Sequence, residues 1–486
     1  HIKVIWIGVE SDELLVQLHD KLDNEFAAIG FDKDKKFSTH LTIGRMKSAK
    51  GKNQVRDVIE EFENVEIGEM NISSIAFKKS TLKPSGPIYE NYKQILNEIK
   101  PSKEESREIL KTSDKLITYL NEVCKDEGIT ASASLVGSVA KKTYLSGKSD
   151  IDVFISFPLD MDIAQLKKTG LYLGYKCSDY FNGDASEHYA SHPYVTSQIN
   201  GFEVDFVPCY KIEDGSQLKS AVDRTILHTK YIKSHLEQDQ NEEVLLLKRF
   251  MDMTGTYGSE FKVGGFAGYL CELLILKYGT FENTLKEASK WRYGHTVDLE
   301  GYGTAALFND PLIVIDPTDM NRNVGAALRL DKMAEFIQSA RNYLTSNNKK
   351  DYFYPVANKF AKDEILEEFQ KRGSDLIAVK FNIPDIPLDT LHPQLRKTTE
   401  SLAEKLNDED FSVYQSDYWS DEENTAVLLF EMTVSRLNNT KIHYGPKVFV
   451  KRGSQNFIDK HGIENCYILD DFVVSKISRE FVTASD

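Results

Sequence analysis

Apolar residues recur along the chain in two rhythms. Ile2 to Val9, Thr39 to Arg45, Ile151 to Phe157, Phe202 to Pro208, Leu376 to Phe381 and Thr425 to Val434 are short β-branched or aromatic runs, the pattern of strands. Ile109, Leu110, Leu116, Ile117, Leu120 and Val123 instead return at roughly helical spacing. Ser102 with Glu105 predicts a capping box at the start of that helix, and Gly128 suits its end. Helices are also predicted over 12–28, 242–254 and 393–406, and an apolar helix follows Gly264, Gly265 and Gly268. Val314 to Val324 reads as a strand ending in a polar turn. Leu135 and Val136 close another apolar run, which Gly137-Ser138 ends; a Lys-rich helical turn follows, and Gly147 is expected to end it.

Chemistry gathers around the strand from Ile151. Asp150 and Asp152 stand two apart at its start, so a strand puts both carboxylates on one face. Like charges so close are costly without a cation between them, and all-oxygen ligation favours magnesium, with manganese second. Asp205 in the strand from Phe202 adds a third carboxylate. Three on adjacent strands suit two metals roughly 3.5–4 Å apart, the arrangement for in-line phosphoryl displacement. The Gly137-Ser138 turn would offer N–H groups and a hydroxyl to phosphate oxygens. A lone Asp-x-Asp is more often a solvated strand edge; it is the combination that carries weight.

With 486 residues the chain is long enough for three or four domains, and 41% apolar content is ample for their cores. The expected divisions are 1–90, 91–240, 241–345 and 346–486. A formal net charge of −15 argues against a non-specific polyanion binder, though metals and local basic patches can still handle phosphates. Five widely spaced cysteines with no Cys-x-x-Cys pair, and no apolar run of membrane-span length, predict a reducing cytoplasmic setting without membrane attachment. Beginning at His1 rather than Met, the chain is expected to be cut from a longer one. Lys441 to Arg452 interleaves aromatic residues with Lys447, Lys451 and Arg452, which suits phosphate contact and base stacking.

Gly137-Ser138, Asp150-Ile151-Asp152 and Asp205 together resemble the nucleotidyltransferase signature of the DNA polymerase β superfamily. Ser220-Ala221-Val222-Asp223-Arg224-Thr225, the run from Gly268 to Leu273 and Arg322-Asn323-Val324 extend the likeness. From about residue 91 onward the chain resembles the archaeal-type (class I) CCA-adding enzymes, which are tRNA nucleotidyltransferases. That resemblance implies an α+β multidomain fold: a polymerase β-like palm, a helical central domain for base recognition, and an α/β C-terminal domain that grips the acceptor and TΨC arms of tRNA. It implies addition of C, C and A from CTP and ATP. Asp150 and Asp152 would hold both magnesium ions and Asp205 the one that activates the 3′-hydroxyl. Gly137, Ser138, Lys141, His228, Lys248 and Tyr257 would bind nucleotide. Lys141 stands where many members have Arg, and Gly264 where a basic residue is common. Arg322 would read the base, with Asp319 helping to position it. The family continues past Asp486, so part of the tRNA-binding body is expected to lie beyond it. A homo-oligomer is compatible with all of this, and a poly(A) polymerase-like enzyme is the alternative within the superfamily.

The N-terminal stretch carries a separate signal. In His40-Leu41-Thr42 alternation puts imidazole and hydroxyl on one face, where they could act on a phosphate. With Ser80 to Tyr89, this resembles the second half of the LigT-like phosphoesterases (RNA 2′,3′-cyclic phosphodiesterases, 2′-5′ RNA ligases). Members carry two His-x-Thr motifs, whereas here His40 and Thr42 supply one and the other would precede His1. The expected lobe is therefore a partial, inactive half-site; the alternative is a cyclic phosphodiesterase acting on RNA ends.

Overall fold

The computed structural model describes residues 92–486 except 190–191, 238, 261 and 356–359. Before residue 92 it describes 4–9, 13–28, 30, 32–33, 37, 39–45, 56, 58–59, 62, 65–66, 68, 79–83 and 86–90. The chain divides into two compact units, His1–Ile75 and Ala76–Asp486. In the first, β1 (Val4–Gly8) and β2 (His40–Arg45) pair antiparallel with Gly8 opposite His40, and α1 (Glu13–Ala28) joins them. The imidazole of His40 lies on an exposed residue 5.6 Å from the Trp6 ring, whereas the side chain of Thr42 lies outside the described residues.

The second unit opens with the hairpin β3 (Lys79–Lys83) and β4 (Gly86–Glu90), then α2 (Tyr92–Ile99) and α3 (Lys103–Asp126). The capping box forms: Ser102 Oγ accepts from the Glu105 N–H at 3.0 Å, and the Ser102 N–H donates to Glu105 at 3.3 Å. A five-stranded sheet follows, built from β5 (Ser132–Leu135), β6 (Ile151–Phe157), β7 (Asp184–Tyr189), β8 (Pro193–Ile199) and β9 (Phe202–Tyr210). Their order is β5-β6-β9-β8-β7. β6 and β9 run parallel; the other neighbours are antiparallel.

Strand parity decides what this sheet buries. Ile151, Val153, Ile155 and Phe157 alternate onto one face with Val204 and Phe206. There they meet Ile109, Leu116 and Leu120 of α3 and Leu166 and Leu173 of α4 (Ile163–Tyr180). Each such side chain contributes about 1.5–3 kcal/mol by leaving water. The opposite face carries Asp152 and Asp205, with Phe154, Val207 and Cys209 behind them in a small separate cluster.

A second core is helical. It joins α5 (Arg224–His235), α6 (Gln240–Met253), α7 (Gly268–Tyr278), α8 (Phe281–Ala288) and α9 (Leu330–Thr345) around Phe250, Phe281, Phe336 and Tyr343. Beside it lies a small sheet, β10 (His295–Val297), β11 (Leu312–Asp316) and β12 (Asp319–Asn323). Ile95 and Ile99 of α2 are buried in this core too, and the Tyr92 hydroxyl meets that of Tyr343 at 2.8 Å. α2 thus packs into the helical core rather than into the core under the five-stranded sheet.

The C-terminal region holds two three-stranded antiparallel sheets. One is β13 (Asp375–Asn382), β14 (Ser412–Ser420) and β15 (Thr425–Val434), covered by α10 (Leu388–Asp408). The other is β16 (Thr440–Lys447), β17 (Cys466–Leu469) and β18 (Phe472–Ser478), with α11 (Lys451–His461). No described helix is long and apolar enough to cross a membrane.

Three local expectations change. The helix at Gly137 ends at Lys142, whose φ of 57° is left-handed, rather than at Gly147; the Gly147 N–H instead donates to Glu105 at 3.0 Å. α10 begins at Leu388, before Pro393, because its first turn buries Leu391 against Leu395. The polar stretch after Asp316 is not an open turn: it folds back as β12.

Candidate active site

Parallel pairing of β6 with β9 brings Asp152 directly opposite Asp205, and β8 places Thr196 beside Asp205 in turn. Thr196 Oγ1 donates to Asp205 Oδ1 at 2.6 Å. Asp150, just ahead of β6, shares the parity of Asp152. Burial, then the charges of Asp205 and Asp150, push the Asp152 carboxyl up to about 7, with Lys141 pulling the other way. Burial also raises Asp150, helped by Glu203, and raises Asp205 against the opposing Thr196 hydrogen bond. Among the described residues no group of three His, Cys, Asp or Glu is placed, as it stands, to hold a metal ion. The donor set nevertheless fits a hard divalent cation: all-oxygen ligands from one sheet face whose charges repel one another. Beside Asp205 lies a cavity of about 270 Å³ lined also by Thr196, His188, Tyr194 and Glu203.

Gly137 opens the short helix Gly137–Lys141 against this face, with φ 70°. A Cβ there would lie 1.8 Å from Asp152 Oδ2, so the carboxylate rests against the bare Cα. The expected role of Gly137 as a phosphate donor changes accordingly, because its N–H is directed to Thr229 Oγ1 at 3.3 Å. Ser138 follows, half-buried.

The basic groups assigned to nucleotide fall into two clusters, each built on a buried acid. Glu272, fully buried, accepts from Lys141 Nζ at 2.6 Å and Thr143 Oγ1 at 2.5 Å. Lys248 Nζ stands 3.9 Å from it and donates to the Thr143 carbonyl at 2.7 Å. Lys248 is itself only 2% exposed, and burial lowers its pKa. Tyr257 packs nearby, its hydroxyl and Lys248 Nζ both facing Gly268. Asp316 builds the second cluster, accepting from His228 Nε2 and Arg322 Nη1, each at 2.8 Å. Burial alone would raise the Asp316 carboxyl, but the hydrogen bonds from His228 and Thr318 and the charge of Arg322 hold it well below the usual carboxylate range. Burial lowers the pKa of His228, against the hydrogen bond and charge of Asp316, which raise it. Tyr269 links the clusters, stacked on His228 at 3.9 Å with Lys141 Nζ 5.7 Å from its ring centre.

The resemblance implies that Asp319 positions Arg322; instead Asp319 pairs with Arg224 at 3.2 Å, and Asp316 takes Arg322. The hairpin reversal between β11 and β12 sends Asp319 to the other partner. Asp316 and Glu272 are site residues that the sequence motifs do not single out. Their signal is an acid at the end of the apolar strand Leu312–Asp316 and another inside the apolar helix Gly268–Tyr278. Glu272→Ala is expected to destabilise the protein by about 3–5 kcal/mol in denaturant unfolding, because two buried cations lose their partner.

Three segments match described families. Residues 116–228 match the nucleotidyltransferase domain, 242–354 the second domain of tRNA nucleotidyltransferase, and 372–486 the C-terminal domain of CCA-adding enzyme. The CCA-adding enzyme of Methanothermobacter thermautotrophicus is 52% identical over 371 residues, which are 76% of this chain and 82% of that one. The chain belongs to the CCA-adding enzymes. Further CCA-adding enzymes agree: that of Methanosarcina barkeri is 39% identical, covering 80% of this chain and 86% of its own, and that of Methanocaldococcus jannaschii 37%, covering 81% and 88%. The poly(A) polymerase-like reading is set aside, and the fold is the expected nucleotidyltransferase palm with further domains. This CCA-adding enzyme also carries a segment, residues 7–89, that matches LigT like phosphoesterase.

Proposed function

We propose that this chain adds C, C and A in turn to the 3′ end of tRNA, taking CTP and ATP and needing no nucleic-acid template. The observation that carries the chemistry is Asp152 opposite Asp205, with Asp150 in the same parity. Asp150 and Asp152 would hold two magnesium ions (or manganese), with Asp205 a ligand of the one nearer the attacking hydroxyl. Such ions, when bound, make the tRNA 3′-hydroxyl a stronger nucleophile and stabilise the charge on the α-phosphate and leaving pyrophosphate.

The chain's own groups do the positioning. The cavity beside Asp205 would take the tRNA 3′ end. Ser138, Lys141 and His228 would meet the triphosphate, while Lys248 supports Lys141 through Thr143 and Glu272, with Tyr257 packed beside Lys248. Arg322 would read the base: cytosine and adenine both offer a ring-nitrogen acceptor beside an amine, whereas uracil and guanine present the reverse and leave buried groups unpaired. The C-terminal sheets would grip the acceptor and TΨC arms. There Lys451 and Arg452 stand exposed beside Phe449, which is 82% exposed, while Lys447 is partly neutralised by Asp471 at 2.8 Å.

Labelled CTP and ATP supplied with magnesium to tRNA lacking its 3′ end should give ordered addition of two C residues and one A. Asp150→Ala/Asp152→Ala should abolish it. Incorporation of A alone into any RNA end would sink the reading. His40→Ala is expected to leave incorporation unchanged, since His40 belongs to the separate N-terminal unit.

A further inference from the structure

Asp316 stands out because so much converges on one fully buried carboxylate. Its Oδ2 accepts from both His228 Nε2 and Arg322 Nη1 at 2.8 Å. Its Oδ1 accepts from the Thr318 N–H at 2.9 Å, from Thr318 Oγ1 at 2.8 Å and from the Tyr269 hydroxyl at 3.4 Å. Any rotation of the carboxylate would leave a buried donor unpaired, so the five bonds fix one another.

We infer that Asp316 is a positioning residue that sets base selection by holding Arg322, and that couples base reading to triphosphate placement by holding His228 on the same oxygen. The inference rests on the roles proposed above for Arg322 and His228. Arg322 keeps 34% of its side chain exposed while Nη1 is tied down, so the rest of the guanidinium offers its donors in one fixed direction. Held so, it can satisfy a ring-nitrogen acceptor but not a ring N–H. A guanidinium free to swing could find a carbonyl oxygen of uracil or guanine instead, and the discrimination would fade. Thr318 supplies the rigidity. It sits in the tight reversal where Asp316 pairs with Asp319, so the backbone itself pins Oδ1.

The test compares full-length wild type, Asp316→Asn and Thr318→Val, measuring kcat and KM for CTP, ATP, UTP and GTP separately on tRNA lacking its 3′ end. In Asp316→Asn the CTP-over-UTP ratio of kcat/KM is expected to fall by about 10–100-fold, as a displaced reading group requires. Thr318→Val, which removes only the hydroxyl donor, should move the ratio the same way by a smaller factor. An equal fall for all four nucleotides, or an unchanged ratio, would overturn the inference and leave Asp316 a structural residue. Should Asp316→Asn fail to fold, the ratio in Thr318→Val decides on the same criterion. Wild type that adds A alone, or nothing, would instead refute the proposed function.

Discussion

Asp152→Asn is expected to lower CMP incorporation into tRNA lacking its 3′ end by about 10³-fold or more, yet to stabilise the fold when chelator is present. Both effects come from one geometry. Asp152 faces Asp205 in the parallel register, and burial with that charge lifts its carboxyl to about 7. An unfolded aspartate titrates near about 3.9, so between those values the folded state binds more protons, and stability falls as pH rises. The advantage of Asn should therefore grow from about pH 4 to about pH 7 and then level off, on the order of 4 kcal/mol, about 1.4 kcal/mol for each pH unit between the two values. Thermal unfolding in EDTA at pH 5 and pH 8 measures it, and magnesium should narrow the gap at pH 8. A variant less stable than wild type at both pH values would count against a repulsive carboxylate pair.

Gly137→Ala should be nearly as damaging although it removes nothing. Its φ of 70° costs an L-residue about 1–2 kcal/mol, and the new methyl would stand 1.8 Å from Asp152 Oδ2. The helix around it is held by backbone bonds, so the carboxylate must move. A displacement of about 1 Å at a reacting centre can cost about 10²-fold, which is the expected loss of incorporation. Gly147→Ala is the matched control: its φ is 69°, but nothing lies within 4 Å of the added Cβ. It should show the stability loss in denaturant titration without the loss of activity. Equal activity losses in the two variants would mean that backbone strain, not crowding of Asp152, is responsible.

Much of the site was legible from local pattern. The alternation of Ile151, Val153, Ile155 and Phe157 assigns one face of β6 to the core and leaves Asp152 to the other, whatever the strand pairs with. The capping box at Ser102 is equally local. Helix ends are less legible: Gly147 reads as the stop, but the left-handed cap falls at Lys142, whose N–H bonds back to Ser138 and Val139, and Gly147 makes a later left-handed turn with its N–H on Glu105. Pro393 looked like a helix start, and burial of Leu391 carried the helix past it.

Spacing two apart, strand parity and residue chemistry single out Asp150, Asp152 and Asp205 as candidate oxygen ligands, and the nucleotidyltransferase palm follows from the resemblance of the motifs that hold them. These depend on neighbours a few residues away, which the sequence itself displays. Which acid holds which base depends on segments far apart in the chain. Asp316 rather than Asp319 takes Arg322 because β11 and β12 reverse tightly, and it takes His228 because α5 lies against that turn. Glu272 binds Lys141 and Thr143 across 131 and 129 positions of chain. A buried carboxylate must collect donors from whatever packs around it, so its partners were decided by tertiary structure alone.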